Sequence, residues 1–190
     1  MFDVTRTFDL PILDWIEAHL WCPFLDVMMP LVTHLGDGGI LWIILALVLL
    51  WVPKCRKTGL AMVLALLMGF LVCNLWLKPW IGRLRPFDYQ WQCYGHTIEL
   101  LIAAPKDFSF PSGHTIASFE AATVLLLRHK KWGIPAVILA CMIAFSRLYL
   151  YVHYPTDVIA SIVLGTIFAF CANHLVNKGF SLRIIKAKEN

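Results

Sequence analysis

Apolar residues run on with little interruption over 38–53, 58–77, 112–127, 132–146 and 158–177, and only the third stretch holds a carboxylate, Glu120. Helices of about 20 such residues match the roughly 30 Å hydrocarbon core of a bilayer, so five transmembrane helices are predicted. The segment from about Leu10 to Gly36 is mixed, with Asp14, Glu17, His19, Asp26 and His34 set among hydrophobic residues. That pattern predicts a short interfacial helix followed by a further, poorer span. The expected fold is all-α: a polytopic membrane helix bundle with about six transmembrane helices. It makes a single domain over 1–190, with 1–35 as interfacial helix and first span, 36–177 as core spans and 178–190 as a basic tail. Residues 78–111 form the one long connection, and they are expected at the same membrane face as 147–157.

Composition agrees with this pattern. At 59% hydrophobic and 15% charged residues, with a mean hydropathy of +0.72, the chain is too apolar for an ordinary soluble domain. Its net charge of +4 does not point to nucleic acid, because Lys and Arg sit in short groups between the apolar runs. When successive loops are assigned to alternate sides, one side receives Lys54, Arg56, Lys57, Arg128, Lys130, Lys131, Lys178, Arg183, Lys186 and Lys188. The other receives Lys78, Arg83, Arg85, Lys106 and Arg147, and Arg6 stays with the N-terminal stretch. The richer side, with the C-terminus, is expected in the cytoplasm, which puts 78–111 and 147–157 on the extracytoplasmic side of a cell membrane. Asp3, Asp9, Asp14 and Glu17 interrupt the N-terminus, so no cleaved signal peptide is expected. Cys73, Cys141 and Cys171 fall inside apolar runs, where a free thiol behaves as a small hydrophobe. Cys22 and Cys93 fall near the outer face, and the reading favours free thiols over a bridge between them.

Charge on the poorer side changes the picture. Lys78 and Arg147 directly abut apolar spans, and either one alone reads equally well as a snorkelling side chain. Three clusters, however, belong to that face: Lys78 with Arg85-Pro86 after the second run, Pro111-Ser112-Gly113-His114 opening the third, and Ser146-Arg147 with His153 and Asp157 between the fourth and fifth. Parity of the spans puts all three on one side, whichever way round the bundle sits. Three permanent cations gathered at the edge of hydrocarbon repel one another unless an anion with several oxygens lies among them, and a phosphoryl group fits. Arg85 and Arg147 can each fork two N–H donors onto phosphate oxygens, and Lys78 adds a compact charge.

Pro-Ser-Gly-His reads as the first turn of a helix, with Ser112 as cap and phosphate donor and Gly113 allowing close backbone approach to an anion. His153 and His114 supply what phosphoryl transfer needs, an attacking atom and a proton for the leaving oxygen. Asp157, four residues after His153, can orient the imidazole as a carboxylate does in a Ser-His-Asp triad.

Together these clusters resemble the signature of the type 2 phosphatidic acid phosphatase, or lipid phosphate phosphatase, superfamily: Lys, six residues, Arg-Pro; Pro-Ser-Gly-His; Ser-Arg, five residues, His, three residues, Asp. All eleven fixed positions match, at Lys78, Arg85, Pro86, Pro111 to His114, Ser146, Arg147, His153 and Asp157. The resemblance implies that His153 is transiently phosphorylated, that Asp157 orients it, and that His114 protonates the leaving group and later activates water. It implies phosphate binding by Lys78, Arg85, Ser112, Gly113 and Arg147, with no metal ion and no cofactor. The implied partner is a membrane lipid phosphate or diphosphate. The chain resembles small bacterial members that act on undecaprenyl diphosphate; phosphatidic acid, phosphatidylglycerol phosphate and lipid A phosphate are the alternatives. A non-enzymatic lipid-phosphate binder or transporter is the reading from another class, and it has no need of both His153 and Asp157.

Residues outside the signature read as structural. Arg83 is expected to be a solvated loop cation. Asp88 and His96 carry no assigned role. Glu120 is expected on a largely different helix face from His114, as a paired or protonated carboxylate. The Trp and Tyr residues of 76–94 and 149–154 are expected to form an aromatic interfacial belt.

Overall fold

The computed structural model describes residues 4–189, and the side chains of 4–179. The described chain is helical, without strands: α1 (Leu10–Leu20), α2 (Pro23–His34), α3 (Ile40–Trp51), α4 (Arg56–Gly69), the single turn α5 (Lys78–Ile81), α6 (Pro86–Tyr94), α7 (Gly113–Arg128), α8 (Lys130–Tyr149) and α9 (Pro155–Glu189). A π-helical stretch, Phe70–Leu77, carries α4 on into α5. Helical stretches 23–51, 53–94, 130–149 and 155–179 are long and apolar enough to cross a membrane.

α7 is the central helix. Residues 118–125 are buried all round it, so this stretch has no lipid face, and this accommodates Ser118, Thr123 and Glu120 within an apolar run. It packs against α4, α8 and α9. Small residues permit the close approach: a Cβ on Gly165 of α9 would lie 2.9 Å from the Ile116 carbonyl oxygen of α7. Trp42 of α3 donates its indole N–H to the Ser118 hydroxyl at 3.0 Å, satisfying a buried polar pair. One apolar core, from Trp42 and Met62 through Val124 and Ile143 to Val176, holds the bundle together.

The N-terminal helices behave differently from the expected interfacial helix plus first span. Both ends of α2 are tied to the same end of α8: the Tyr149 hydroxyl donates to Asp26 at 2.6 Å, and Arg147 donates to Thr33 at 2.6 Å. Twelve residues rise only about 18 Å, so α2 lies along one end of the bundle rather than crossing it. Gly38 and Gly39, at φ 58° and 66°, then turn the chain into α3. Tyr149, Tyr151 and Tyr154 are at most 1% exposed and belong to the packing between this cap and α8, not to an aromatic belt. Trp76, Trp80 and Trp91 do lie on the surface. α9 continues the helix through the basic tail, and the side chains of Arg183, Lys186 and Lys188 lie outside the described ones.

Candidate active site

The end of the bundle capped by α1 and α2 collects the three clusters. Lys78 is the first residue of α5, delivered by the π-helical stretch. Arg85 holds an extended conformation just before α6, where Pro86 opens the helix. Ser112 stands at the N-terminus of α7, Arg147 lies in the last turn of α8, and His153 sits in the link to α9. That link includes Tyr151 at φ 56°. A left-handed non-glycine residue costs about 1–2 kcal/mol, and the buried Tyr151 ring, with its hydroxyl bonded to Asp14 and Gln90, offsets it.

Lys78, Arg85, Gly113, His114, Arg147 and His153 line one cavity of about 830 Å³. Six of the eight expected site residues thus surround a common space, and Ser112 and Asp157 are buried outside its lining. The cavity continues from this polar end into an apolar groove lined by Ile43 and Leu47 of α3, Leu66 and Leu67 of α4, and Phe70. Ile43, Leu47, Leu67 and Phe70 are also exposed on the flank of the bundle, so the groove is accessible from the side on which lipid lies.

Arg85, 3% exposed, is held from several directions: Nε donates to the Asp107 carbonyl at 2.8 Å, Nη1 to the Val152 carbonyl at 2.7 Å and Nη2 to the Asp107 carboxylate at 2.5 Å. Lys78 donates to the other Asp107 oxygen at 2.5 Å. Burial alone would raise the Asp107 carboxyl, but Lys78 and Arg85 hold it well below the usual carboxylate range. Arg147 has a buried Nε with no hydrogen-bond partner, an unused cationic donor beside the cavity.

His153 is 1% exposed. Its Nε2 lies 3.3 Å from Arg85 Nη1, and its Nδ1 lies 3.5 Å from Asp157 Oδ2. Burial, reinforced by Arg85 and Arg147 against the pull of Asp157, pushes the imidazole well below its ordinary pKa. Asp157 is fully buried. Its Oδ2 also accepts from the Ser109 hydroxyl at 2.5 Å and from the Tyr154 N–H at 3.0 Å. His114 Nε2 lies 2.8 Å from Asp37, whose second oxygen is 2.7 Å from His34 Nδ1.

Three expectations need correction. Ser112 does not cap α7 with its side chain: its hydroxyl accepts from Thr115 at 3.0 Å and its N–H donates to Ser161 at 2.9 Å. Arg83 is not a solvated cation, since it donates to Asp157 at 2.5 Å and to Asp9 at 2.6 Å. The expected face of Glu120 is also wrong: it is fully buried against Gly69 and lines the same cavity as His114. Asp107, Ser109, Asp37 and Asp9 have no site role in the sequence pattern; each lies outside the signature, and only tertiary folding brings them to the site.

Comparison with known proteins agrees with this arrangement. The PAP2 superfamily model matches residues 58–181. An undecaprenyl-diphosphatase of Sulfolobus acidocaldarius is 33% identical over 139 residues, covering 73% of this chain and 65% of that protein. The undecaprenyl-diphosphatase BcrC of Bacillus subtilis is 31% identical over 150 residues, covering 77% of this chain and 72% of the relative. A crystal structure of a transmembrane PAP2-type phosphatidylglycerolphosphate phosphatase from Bacillus subtilis superposes with a TM-score of 0.70 at 27% identity, covering 96% of this chain and 89% of that one. With the family model spanning both the signature and the helices that assemble it, the chain belongs to the PAP2 superfamily.

Proposed function

We propose that the protein hydrolyses a membrane lipid diphosphate, undecaprenyl diphosphate to undecaprenyl phosphate, at the extracytoplasmic face of the cell membrane through a phosphohistidine at His153. The carrying observation is the placement of His153: Nε2 faces the cationic end of the cavity beside Arg85, and Nδ1 faces the buried Asp157. Lys78 and Arg85 already grip the two oxygens of one carboxylate, Asp107, at 2.5 Å each, the geometry with which the pair would hold two oxygens of a phosphoryl group. Arg147 offers its unpartnered Nε, and Gly113 opens the first turn of α7.

In this mechanism Nε2 of neutral His153 attacks phosphorus while Asp157 holds the proton on Nδ1. The P–O bond to the leaving lipid phosphate breaks, and His114 supplies the proton that oxygen needs. His114 then takes a proton from water as that water attacks the phosphohistidine, releasing inorganic phosphate and free His153. Charge stabilisation comes from Lys78, Arg85 and Arg147, so turnover is expected to persist in EDTA. The lateral apolar groove suits a long lipid tail entering from the bilayer.

A glycerophospholipid phosphate is the second reading, favoured by Glu120. That carboxyl lines the groove beside Gly69, where a polyprenyl tail offers no polar atom and a glycerolipid brings its ester region. Phosphate release from undecaprenyl diphosphate, phosphatidic acid and phosphatidylglycerol phosphate, measured side by side with purified protein in EDTA, tests both. The first reading expects the highest kcat/KM on undecaprenyl diphosphate. A preference for a glycerolipid that is lost in Glu120→Leu supports the second, and an absolute requirement for Mg²⁺ overturns the metal-independent mechanism.

A further inference from the structure

Beneath the cavity, one cation is shared by two fully buried carboxylates. Arg83, in the extended link between α5 and α6, donates Nη1 to Asp157 Oδ1 at 2.5 Å and to the Thr156 hydroxyl at 2.8 Å. Its Nη2 donates to Asp9 Oδ2 at 2.6 Å and to the Thr5 hydroxyl at 3.0 Å. Asp9 in turn accepts from the Thr156 N–H at 3.0 Å and from its hydroxyl at 2.8 Å. The guanidinium lies 3.8 Å over the Tyr154 ring. Asp9 and Asp157 are each 0% exposed. A planar fork that engages two carboxylates and stacks on an aromatic ring is geometry that arginine provides and lysine does not.

From this arrangement we infer that Arg83 and Asp9 form a positioning unit for Asp157, and that the N-terminal segment ahead of α1 is thereby a working part of the active site. Asp9 and Thr5 lie outside residues 58–181, which the family model matches, and neither belongs to the signature. The inference rests on the reading of His153 and Asp157 as nucleophile and orienting carboxylate. Asp157 has two oxygens with different duties. Oδ2 faces His153, Ser109 and the Tyr154 N–H, and Oδ1 is held by Arg83. Clamping Oδ1 fixes the carboxylate plane, so that Oδ2 stays directed at Nδ1 of His153. It also keeps Asp157 charged in a place closed to bulk solvent, where an unpaired carboxylate would take up a proton. Asp9 balances the remaining charge of Arg83, so the pair orients Asp157 without drawing it away from His153. Charged and titratable groups facing Asp157 are Arg83, His153 and Tyr154, and Asp9 is linked to it through Arg83.

Arg83→Gln leaves Asp9 and Asp157 without their common cation. We expect kcat to fall at least about tenfold with KM little changed, and the acid limb of the kcat/KM profile to move toward neutral pH as Asp157 becomes easier to protonate. Arg83→Lys, which can engage only one carboxylate well, shifts the limb in the same direction by less and covers the case in which Arg83→Gln does not fold. Adding Asp9→Asn to Arg83→Gln removes one of the two uncompensated carboxylates, so the double variant is expected to recover part of the activity that Arg83→Gln loses. Thermal destabilisation of Arg83→Gln with an unshifted profile and near-normal kcat would make the network merely structural and overturn the inference. A readout that needs no turnover is the ¹⁵N resonance pair of the His153 ring, assigned by its loss in His153→Ala. It is expected to move in Arg83→Gln and to stay in Arg56→Gln. Its movement in a protein that hydrolyses no lipid phosphate would uphold the positioning unit and reject the phosphatase reading, whereas an unmoved resonance rejects the positioning unit itself.

Discussion

His153 is more buried than an interfacial histidine needs to be, and burial determines its chemistry. Away from water, beside Arg85 and Arg147, the imidazole stays neutral and keeps a lone pair for attack. Its pKa lies below the ordinary value of about 6.5, so the protonated, unreactive form accumulates only at lower pH. Loss of activity that traces to His153 is therefore expected below pH ~6.5, and an acid limb at or above that value in a kcat/KM profile would contradict the environment described. His153→Ala removes the attacking atom and should reduce turnover below about 10⁻³ of wild type while the protein still folds. Asp157→Asn keeps the shape but can hold the wrong ring nitrogen protonated, with a loss of about 10²–10⁴ in kcat. Retained turnover in His153→Ala, measured as phosphate release by monodisperse protein, would remove the covalent step.

Among the elements, the α7–α9 contact bears directly on the site, because α7 presents His114 and α9 presents Asp157. The two helices approach closely where Gly165 faces the Ile116 carbonyl, a space that a Cβ would already overfill. Gly165→Leu is expected to cost about 1–3 kcal/mol through overpacking. It should also lower kcat, because it wedges the α9 side of the site away from His114. A lowered melting temperature with unchanged kcat would show that the contact stabilises the bundle without setting the geometry of the site. The α2–α3 turn makes a second contribution, since Asp37 holds both His34 and His114.

At the scale of the whole molecule, the charge pattern and the site address opposite ends of the bundle. Cys55 adjoins the Lys54, Arg56 and Lys57 group, and Cys93 is exposed on α6 near the site. In variants keeping a single cysteine, a membrane-impermeant maleimide should label Cys93 in intact cells, and Cys55 only after permeabilisation. The reverse pattern would invert the proposed orientation. A lateral groove joined to a cationic pocket also explains how one molecule can handle both a lipid tail and a phosphoryl group. Under the proposed function each part suits its ligand, the flank of α3 and α4 a lipid tail and the buried cations a phosphate.

Apolar run length determined by itself that this chain is a helical membrane protein, because a bilayer of fixed thickness admits few alternatives to helices about 20 residues long. Spacing within the signature, together with span parity, likewise determined that Lys78, Arg85, His114, Arg147 and His153 share one face. Both are properties of order along the chain. Tertiary structure decided what order does not encode: that α2 lies across one end instead of spanning, that the tyrosines of 149–154 are core, and that Arg83 is a partly exposed cation shared by two buried carboxylates and not a free surface charge. It also decided that Asp107, Ser109, Asp37 and Asp9 reach the site. Such contacts join segments up to 147 residues apart, a separation that no local periodicity encodes, and only the packing of the elements closes them.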